Sequence, residues 1–294
     1  MAKLATMTVW NVEHGLAIHI KAPNDKYIVV DLGCSTNFSP LRELSRKDVH
    51  YMVITHPDLD HIQDVGNISY ATPRVLNRVK YYTRSDLLEG AQDWAKDTIK
   101  AYCDFEETYT SPISNSDSPH NPDVFDGLEV QTFRAENCDK SNRNNQSAIV
   151  VLKLENAKVV ICGDNEQASF DELMQRKDFR EAVCGAWILV ASHHGRRSGY
   201  HQEFVSLVNP DLTIISDTKK GETSVTDLYE QYSKGLKVHS GNECSEKRYC
   251  LTTRQDGNIR VVFGESDDPK YIGTLSITKG VQPRCVYRER NLRI

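Results

Sequence analysis

The amino-acid sequence predicts an α/β protein in which two mixed β-sheets pack face to face with helices on the outside. Two observations lead to this prediction. Short β-rich segments dominate the beginning of the chain, and each half passes from strands to an alternation of strands and helical segments. The segment "WILVAS" in the second half is almost continuously apolar, which is typical of a strand buried in a sheet.

The elements of the first half follow from turn residues and hydrophobic spacing. The segments "ATMTVWNV", "GLAIHI" and "KYIVVDLG" are predicted strands, since "EHG" and "APND" separate them. A helix from about Pro40 to Arg46 and the strand "HYMVITH" come next. From Ser85 to about Phe105, apolar residues recur at helical spacing behind a serine suited to an N-cap. The polar segment "TSPISNSDSPHNPD" follows, so residues 80–123 are predicted to be an insertion between two halves.

The second half alternates strands and helices. "SAIVVLKLENAKVVICGD" predicts a hairpin that turns at "ENAK", and helices are expected at about 167–183, in "HQEFVSLV" and in "TSVTDLYEQYS". "LTIIS" and "YIGTLSIT" are predicted strands, and "YCLTTRQDGNIRVVF" predicts a hairpin with "DG" at its turn. Because no long linker interrupts the pattern, we predict one domain over 1–294, with a short basic tail at 279–294.

Composition limits the classes of function. The net charge of -5 gives no bulk attraction for nucleic acid, so any such binding needs a local basic patch. The chain contains no apolar run near the ~20 residues that cross a bilayer, and its first residues do not resemble a signal peptide. We therefore expect a cytoplasmic protein without membrane contact. The eight cysteines include no C-x-x-C pair, which favours buried, reduced thiols over disulfides or a zinc knuckle.

Ionisable side chains are concentrated in "THPDLDHIQD", where two histidines and three aspartates fall within nine residues after a predicted strand. Pro57 blocks continuation of that strand. Alternate residues of an extended or turning loop can point the same way, so His56, Asp58 and Asp60 can converge. A divalent cation would remove the repulsion among the carboxylates and give the imidazoles a partner. A solvated acidic turn is the weaker alternative for this H-x-D-x-D-H pattern.

Two further strand ends carry potential metal ligands. Asp164 follows the apolar run "VVICG", and His193 and His194 follow "ILVAS". In layered α/β proteins, side chains from distant segments meet at the ends of strands, and ligands bind there. Each stretch alone is a weak signal, but together with "THPDLDHIQD" they predict a metal centre.

The order of "THPDLDHIQD", "CGDNE" and "SHHG" resembles the metallo-β-lactamase superfamily. Within it, the chain is most similar to the hydrolase domain of competence DNA-uptake proteins (ComEC-like) and its free-standing soluble relatives. The resemblance begins at "WNVEHGLAIHI", continues through "VVDLG" and "NNQSAIVVLKLENAKVVICGDNE", and ends at "YCLTTRQDGNIRV". It implies the metallo-β-lactamase fold, an αββα sandwich, with a hydrolytic centre of one or two metal ions between the sheets.

The resemblance also implies a role for each ligand candidate. His56 and Asp58 correspond to ligands of the first metal, and Asp60 and His61 to ligands of the second. Asp164 corresponds to the bridge between the two ions. The ions expected for imidazole and carboxylate ligands without thiolate are zinc or manganese.

One histidine of "SHHG" would complete the second site. Because neighbours on an extended chain point apart, we favour His194 as the ligand and His193 as a catalytic group facing the substrate, with Asp60 as the other catalytic residue. Many superfamily members have a further histidine before the bridging aspartate, where this chain has "NRNNQS". Asn145 can replace it as a neutral ligand or contact the substrate, which predicts a weaker first site. His14 departs from the family pattern, and it lines the cleft or caps a turn.

Hydrolysis of a phosphodiester, ester, thioester or lactam is compatible with these ligands, because a water between two divalent ions becomes hydroxide near pH 7. Nearby basic residues favour phosphate: Arg196 and Arg197 follow "HHG", and Lys219 and Lys220 follow the strand "LTIIS". Aromatic stacking platforms are not evident. We therefore expect a phosphodiesterase acting on nucleic acid or nucleotides. The alternatives are a hydrolase of a small ester, thioester or lactone, and a non-catalytic metal-binding scaffold for a partner protein.

Overall fold

The computed structural model describes residues 2–217, 223–240, 243–265, 271–280 and 291–293. Lys219, Lys220 and most of the predicted basic tail lie outside the described residues. The described strands are β1 (Leu4–Val9), β2 (Ile18–Lys21), β3 (Tyr27–Val30), β4 (Val49–Val53), β5 (Val75–Asn77), β6 (Glu129–Phe133), β7 (Ile149–Leu154), β8 (Ala157–Ile161), β9 (Ile188–Val190), β10 (Leu212–Ile215), β11 (Leu236–Ser240), β12 (Glu243–Arg248), β13 (Cys250–Thr252), β14 (Ile259–Gly264), β15 (Tyr271–Lys279) and β16 (Asn291–Arg293).

The α-helices within the same residues are short, apart from one near the middle of the chain. They are α1 (Leu59–Ile62), α2 (Arg84–Leu88), α3 (Asp93–Glu106), α4 (Gln167–Leu173), α5 (Lys177–Val183), α6 (Gln202–Val208), α7 (Thr226–Glu230) and α8 (Thr253–Asp256). None of the described helices is both long and apolar enough to cross a membrane.

The strands form two mixed sheets. In the described residues the first sheet has the order β12-β11-β15-β14-β1-β2-β3-β4-β5, with β16 beside β15. The second has the order β13-β10-β9-β8-β7-β6. Antiparallel pairing dominates the centre of the first sheet, whereas β8, β9, β10 and β13 run parallel in the second. The predicted fold class, two mixed sheets with outer helices, is confirmed.

Alternation along the strands builds the layers. In β3, Ile28 and Val30 belong to the apolar core between the sheets, whereas Val29 belongs to the core on the outer face of the first sheet. In β7, Val150 faces the inner core and Ile149 the outer face of the second sheet. The strand period of two therefore gives each sheet two apolar faces, and helices cover the outer ones.

The segment 80–123 supplies part of the outer layer. Its predicted single helix is two helices, α2 and α3, and Glu89 between them is extended. Ile99 and Tyr102 of α3 are buried in the same apolar cluster as Met52 of β4. The interpretation of residues 80–123 as an insertion stays a prediction.

One predicted hairpin is wrong. In "YCLTTRQDGNIRVVF", the first strand is β13, which pairs with β10 in the second sheet, and the second strand is β14, which pairs with β1 in the first. The helix α8 separates them, because Thr252 caps it by accepting from Gln255 N and Asp256 Oδ2 accepts from Thr252 N. The segment crosses between the sheets instead of turning back. By contrast, the β7–β8 hairpin at "ENAK" is confirmed.

Six cysteine side chains are described, and all six are free thiols. Three of them are buried: Cys103, Cys162 and Cys250. The expected reduced state holds for these six, although Cys184 is exposed rather than buried.

Candidate metal centre

Three loops meet at the ends of β4, β8 and β9. The loop after β4 is held to the second sheet, since Ala148 N donates to Thr55 O at 3.0 Å. His193 N donates to Gly163 O at 3.0 Å, which joins the loops after β8 and β9. Gly163 has φ 57°, and a Cβ there would lie 2.9 Å from Thr55 Cβ. Glycine is needed at this position because the backbone is left-handed and the loops approach closely.

Four side chains from these loops converge. Each offers one ligand atom, and the four atoms lie within 4.8 Å of one another. His194 Nε2 is 3.1 Å from Asp60 Oδ2 and 3.4 Å from Asp164 Oδ2, while His61 Nε2 is 3.2 Å from Asp164 Oδ1. We call this set the metal cluster: Asp60, His61, Asp164 and His194.

Hydrogen bonds behind the metal cluster fix the direction of both rings. His61 Nδ1 donates to Asp31 Oδ2 at 2.7 Å, and His194 Nδ1 donates to Ser216 O at 3.0 Å. Both Nε2 atoms therefore face the cluster without a proton when the imidazoles are neutral. His61 Nε2 is buried and has no hydrogen-bond partner among the described residues. A buried, unpaired imidazole nitrogen next to two carboxylates fits a divalent cation.

The pKa values express the same charge balance. Burial lowers the pKa of His194, but Asp164 and Asp60 raise it to about 10. Burial likewise opposes protonation of His61, and Asp164, Asp31 and Asp60 raise its pKa well above the usual range. Burial raises the pKa of Asp164, and the two imidazoles hold it well below the usual value. Anionic carboxylates and cationic imidazoles thus compensate one another where a metal ion would otherwise sit.

Comparison with known proteins assigns the family. The family model of the metallo-beta-lactamase superfamily matches residues 11–216, which include the whole metal cluster. The chain belongs to the metallo-β-lactamase superfamily. This match is to the superfamily as a whole, so the likeness to the competence branch stays a prediction. A search among curated proteins found no match.

Solved structures of the metallo-β-lactamase fold are similar to this chain at low identity. The metallo-beta-lactamase fold protein YhfI from Bacillus subtilis has 9% identity and a TM-score of 0.47 over 84% of this chain and 95% of that chain. Igni18, a metallo hydrolase from the archaeon Ignicoccus hospitalis, has 13% identity and a TM-score of 0.42 over 71% and 81%. Family membership and the metal cluster together make this chain a metal-dependent hydrolase of the superfamily.

The four residues of the metal cluster are those predicted for the second metal site. His56 and Asp58, predicted to hold the first metal, lie beside it: His56 Nε2 is 3.6 Å from Asp58 Oδ2. His56 is fully buried and its Nε2 has no hydrogen-bond partner in the described part of the chain, so it can also serve as a ligand. Asp58 is partly engaged elsewhere, since its Oδ1 lies 3.2 Å from Arg143 Nε. Both residues stay candidates for a weaker site.

The side chain of Asn145 accepts hydrogen bonds from backbone amides. Its Oδ1 accepts from Glu166 N at 3.1 Å and Ser169 N at 3.4 Å, so it stabilises the start of α4 behind Asp164. That oxygen is already occupied by two donors, which leaves it poorly placed to replace a histidine ligand. Contact with substrate through Asn145 stays a prediction.

His193 is excluded from the metal cluster and is oriented by a carboxylate. Its Nδ1 lies 3.0 Å from Glu166 Oε1, and its Nε2 accepts from Arg196 Nη1 at 3.4 Å. As expected, His194 belongs to the metal cluster and His193 does not, but the reason for this difference is not the expected one. Both residues have positive φ, 46° and 53°, so a left-handed turn separates the rings where an extended chain was expected.

The two arginines after "HHG" differ in burial and in the residues that they contact. Arg196 is half-buried beside His193, and its Nε is buried without a hydrogen-bond partner among the described atoms. Arg197 is exposed, and its guanidinium carbon lies 5.9 Å from the centre of the Tyr200 ring. Arg196 alone of this pair therefore contacts a residue of the site.

Sequence reasoning missed Asp31 and left His14 undecided. Asp31 follows β3 in "VVDLG", where a buried carboxylate after an apolar strand was the available signal. His14 lines the cleft: its Nε2 is 3.3 Å from Asp60 Oδ2 and its ring centre is 5.2 Å from that of His194. Its side chain is 49% exposed, so it lies at the open side of the metal cluster.

A small cavity adjoins the segment 55–64 that follows β4, which we call the metal loop. Its volume is about 280 Å³, and Asp58, Asp60 and Arg143 line it together with the junction of α2 and α3. The cavity extends the open side of the centre towards residues of the 80–123 segment.

Proposed function

We propose that this superfamily member is a metal-dependent phosphodiesterase that acts on nucleic acid or nucleotides. The observation that carries the proposal is the position of Arg196. Its guanidinium contacts His193, which lies against the metal cluster, and its Nε is buried without a partner in the described structure. A guanidinium with free donors beside a metal centre suits a phosphate group, because it can pair with two oxygens at once.

The ligand roles in this proposal are divided between two sites. Asp60, His61, Asp164 and His194 would hold one divalent ion, zinc or manganese, and His56 with Asp58 would hold a second, weaker one. When bound, the metal would supply Lewis-acid activation of water and neutralise charge on the substrate oxygens. The mixed carboxylate and imidazole donors of the metal cluster fit either ion.

The chain's own residues would orient the substrate. Arg196 would bind a non-bridging phosphate oxygen. Glu166 favours the His193 tautomer with its proton on Nδ1, so that Nε2 accepts a hydrogen bond from Arg196 and orients its guanidinium. Burial lowers the pKa of His193, which favours the neutral ring that such a role needs. Asp60, whose side chain is 21% exposed, would position the attacking water.

The exposed side of the metal cluster indicates where a substrate would enter. His61, Asp164 and His194 are buried, whereas the Asp60 side chain is 21% exposed and lies next to the half-exposed His14. A substrate phosphate would therefore enter on the side of Asp60 and His14. The buried side excludes bulk water, which strengthens charge–charge interactions inside the centre.

Hydrolysis of bis(p-nitrophenyl) phosphate beside a neutral ester and a thioester tests the proposal, with manganese or zinc added to metal-stripped protein. We expect turnover of the phosphodiester that exceeds turnover of the other two. Faster hydrolysis of the ester or thioester would favour the small-ester alternative. Metal binding without turnover of any substrate would favour the non-catalytic scaffold.

A further inference from the structure

An exposed aromatic and basic surface lies beside the metal loop and has no part in the chemistry above. Lys140 Nζ lies 4.6 Å from the centre of the Tyr81 ring, and Tyr82 Oη donates to Lys140 O at 2.8 Å. Tyr81 is 41% exposed, and Lys140 is also exposed. We call Tyr81, Tyr82 and Lys140 the tyrosine–lysine platform. Lys140 is distant in sequence from the two tyrosines, which is why the sequence alone showed no stacking surface.

Arg143 connects the platform to the metal loop. Its Nε is 3.2 Å from Asp58 Oδ1, and it lines the cavity that also contacts Asp60. Lys140 lies in the turn that immediately precedes Arg143, since Asn142 N donates to Asp139 O at 3.2 Å. A continuous path of neighbouring groups therefore runs from the metal loop through Arg143 to the platform.

We propose that the tyrosine–lysine platform binds an unpaired base and its phosphate while a neighbouring phosphodiester of the same strand occupies the metal centre. The inference rests on the proposed phosphodiesterase function and names its substrate as single-stranded nucleic acid. Tyr81 stacks on the base, and Lys140 and Arg143 pair with backbone phosphates. Aromatic rings interleaved with basic side chains are the features by which proteins hold single strands without reading their sequence.

Two observations favour this occupant over a mononucleotide or a duplex. Arg143 lines the cavity beside Asp60 but Tyr81 and Lys140 do not, so a ligand that reaches both Tyr81 and the metal centre must extend past a single phosphate. An exposed ring can stack only on a base that is not already paired and stacked in a helix. Because the net charge of the protein is -5, attraction for a polyanion must also come from local groups such as Lys140 and Arg143.

The chain offers a matched control surface. Lys247 Nζ lies 4.9 Å from the centre of the Tyr249 ring, and Tyr249 is 39% exposed. Tyr249 directly precedes β13, so it lies at the start of the parallel strands whose far ends carry Asp164 and His194. The two tyrosine–lysine pairs are alike in geometry and exposure, and only one adjoins the metal loop.

The test compares Tyr81→Ala, Tyr81→Phe and Tyr249→Ala with wild type in the manganese-loaded protein. The substrates are a single-stranded oligothymidylate of about twelve nucleotides, long enough to cover one single-strand binding site, and bis(p-nitrophenyl) phosphate. Tyr81→Ala should raise KM for the oligonucleotide about tenfold, because one base loses its stacking partner, and leave kcat/KM for the small ester within about twofold. Tyr81→Phe, which keeps the ring, and Tyr249→Ala should both behave as wild type.

Each contrary outcome has a separate meaning. Equal effects of Tyr81→Ala and Tyr249→Ala on the oligonucleotide would overturn the platform. Turnover of the small phosphodiester without turnover of the oligonucleotide would also overturn it and leave the phosphodiesterase proposal standing. Absence of all phosphodiester turnover with any metal would overturn the proposed function and this inference with it.

Discussion

Asp31 and His61 form a buried carboxylate–imidazole pair directly behind the metal cluster, with His61 Nδ1 donating to Asp31 Oδ2 at 2.7 Å. The same carboxylate accepts from Thr55 N at 2.7 Å and from Thr55 Oγ1 at 2.6 Å. Asp31 therefore fixes both the first residue of the metal loop and the orientation of a ligand ring. Such partners set the tautomer and basicity of metal-bound imidazoles.

Asp31→Asn should weaken metal binding by about 10- to 100-fold. An amide retains one acceptor oxygen for Thr55, but its NH₂ group cannot accept the proton of His61 Nδ1. The ring would then be free to rotate or to change tautomer. Competition of the metal-stripped variant with a fluorescent chelator measures the change in affinity.

Asp64→Asn is the matched control. Asp64 is also a buried carboxylate in this part of the chain, and it accepts from Ser39 Oγ and Leu41 N. Both variants should lower the free energy of unfolding, but Asp64→Asn should leave metal affinity unchanged. Equal losses of metal affinity would mean that Asp31 acts only through the general stability of the fold.

Arg196→Ala and Arg197→Ala should have unequal effects on phosphodiester hydrolysis. Arg196 contacts His193, whereas Arg197 lies over Tyr200. Loss of one charge-assisted hydrogen bond costs about 1.5–3 kcal/mol, so Arg196→Ala should lower kcat/KM by roughly tenfold to a hundredfold. Arg197→Ala should remain within about threefold of wild type. Steady-state kinetics of the two variants decide the matter, and a larger effect of Arg197→Ala would reverse the assignment.

His14→Ala should separate catalysis from metal binding. His14 Nε2 contacts Asp60 Oδ2 from the open side and is not one of the four atoms of the metal cluster. We expect kcat/KM for a phosphodiester to fall about tenfold, since a polar contact next to the entering substrate is lost. Metal affinity should fall less than in Asp31→Asn, because His14 is half-exposed and is not one of the four ligands. A variant that loses metal and activity together would instead mark His14 as a ligand.

Stability should depend on pH through His19, which is remote from any metal role proposed here. Burial lowers the pKa of His19 from its usual value of 6.5 to about 3. The unfolded chain therefore binds one proton more than the native state between these two pKa values, and stability falls as the pH falls through this window. The slope contributed by one such group is at most about 1.4 kcal/mol per pH unit.

His19→Phe tests this dependence, because the ring of phenylalanine can keep the edge contact with Trp10. Urea unfolding between about pH 6.5 and pH 4 should show a shallower loss of stability in the variant than in wild type. Parallel pH profiles would show that another group accounts for the acid sensitivity.

The strand ends of the centre could be predicted from the sequence because they follow from local rules. Apolar runs followed by Pro57, Gly163 or Gly195 mark where strands stop, and ligand-type residues lie directly beside these breaks. Local pattern therefore places the four residues of the metal cluster among the ligand candidates, and the family resemblance implies their grouping into one site. The layers could also be predicted, because alternation in β3 and β7 places apolar residues on both faces.

Features that depend on tertiary contacts could not be predicted. Tyr81 gains its surroundings from a segment far away in the chain. Asp31 has a local signal, a carboxylate directly after an apolar strand, but that signal does not show that its partner is His61. The same holds for the "DG" segment, where local turn chemistry favours a hairpin but the two flanking strands join different sheets. Arg196 and Arg197 are neighbours in sequence, and only the left-handed turn before them decides which one reaches the site.

Calorimetric titration of metal-stripped protein with manganese or zinc, wild type beside Asp164→Ala, tests the central claim most directly. Asp164 contacts both His61 and His194, so its carboxylate is shared by the two imidazole ligands. Wild type should show one tight binding event at the metal cluster and a weaker one at His56 and Asp58, and Asp164→Ala should lose the tight event while keeping its folded circular-dichroism spectrum. Tight binding that survives in the variant, or wild type that binds neither ion, would contradict the account.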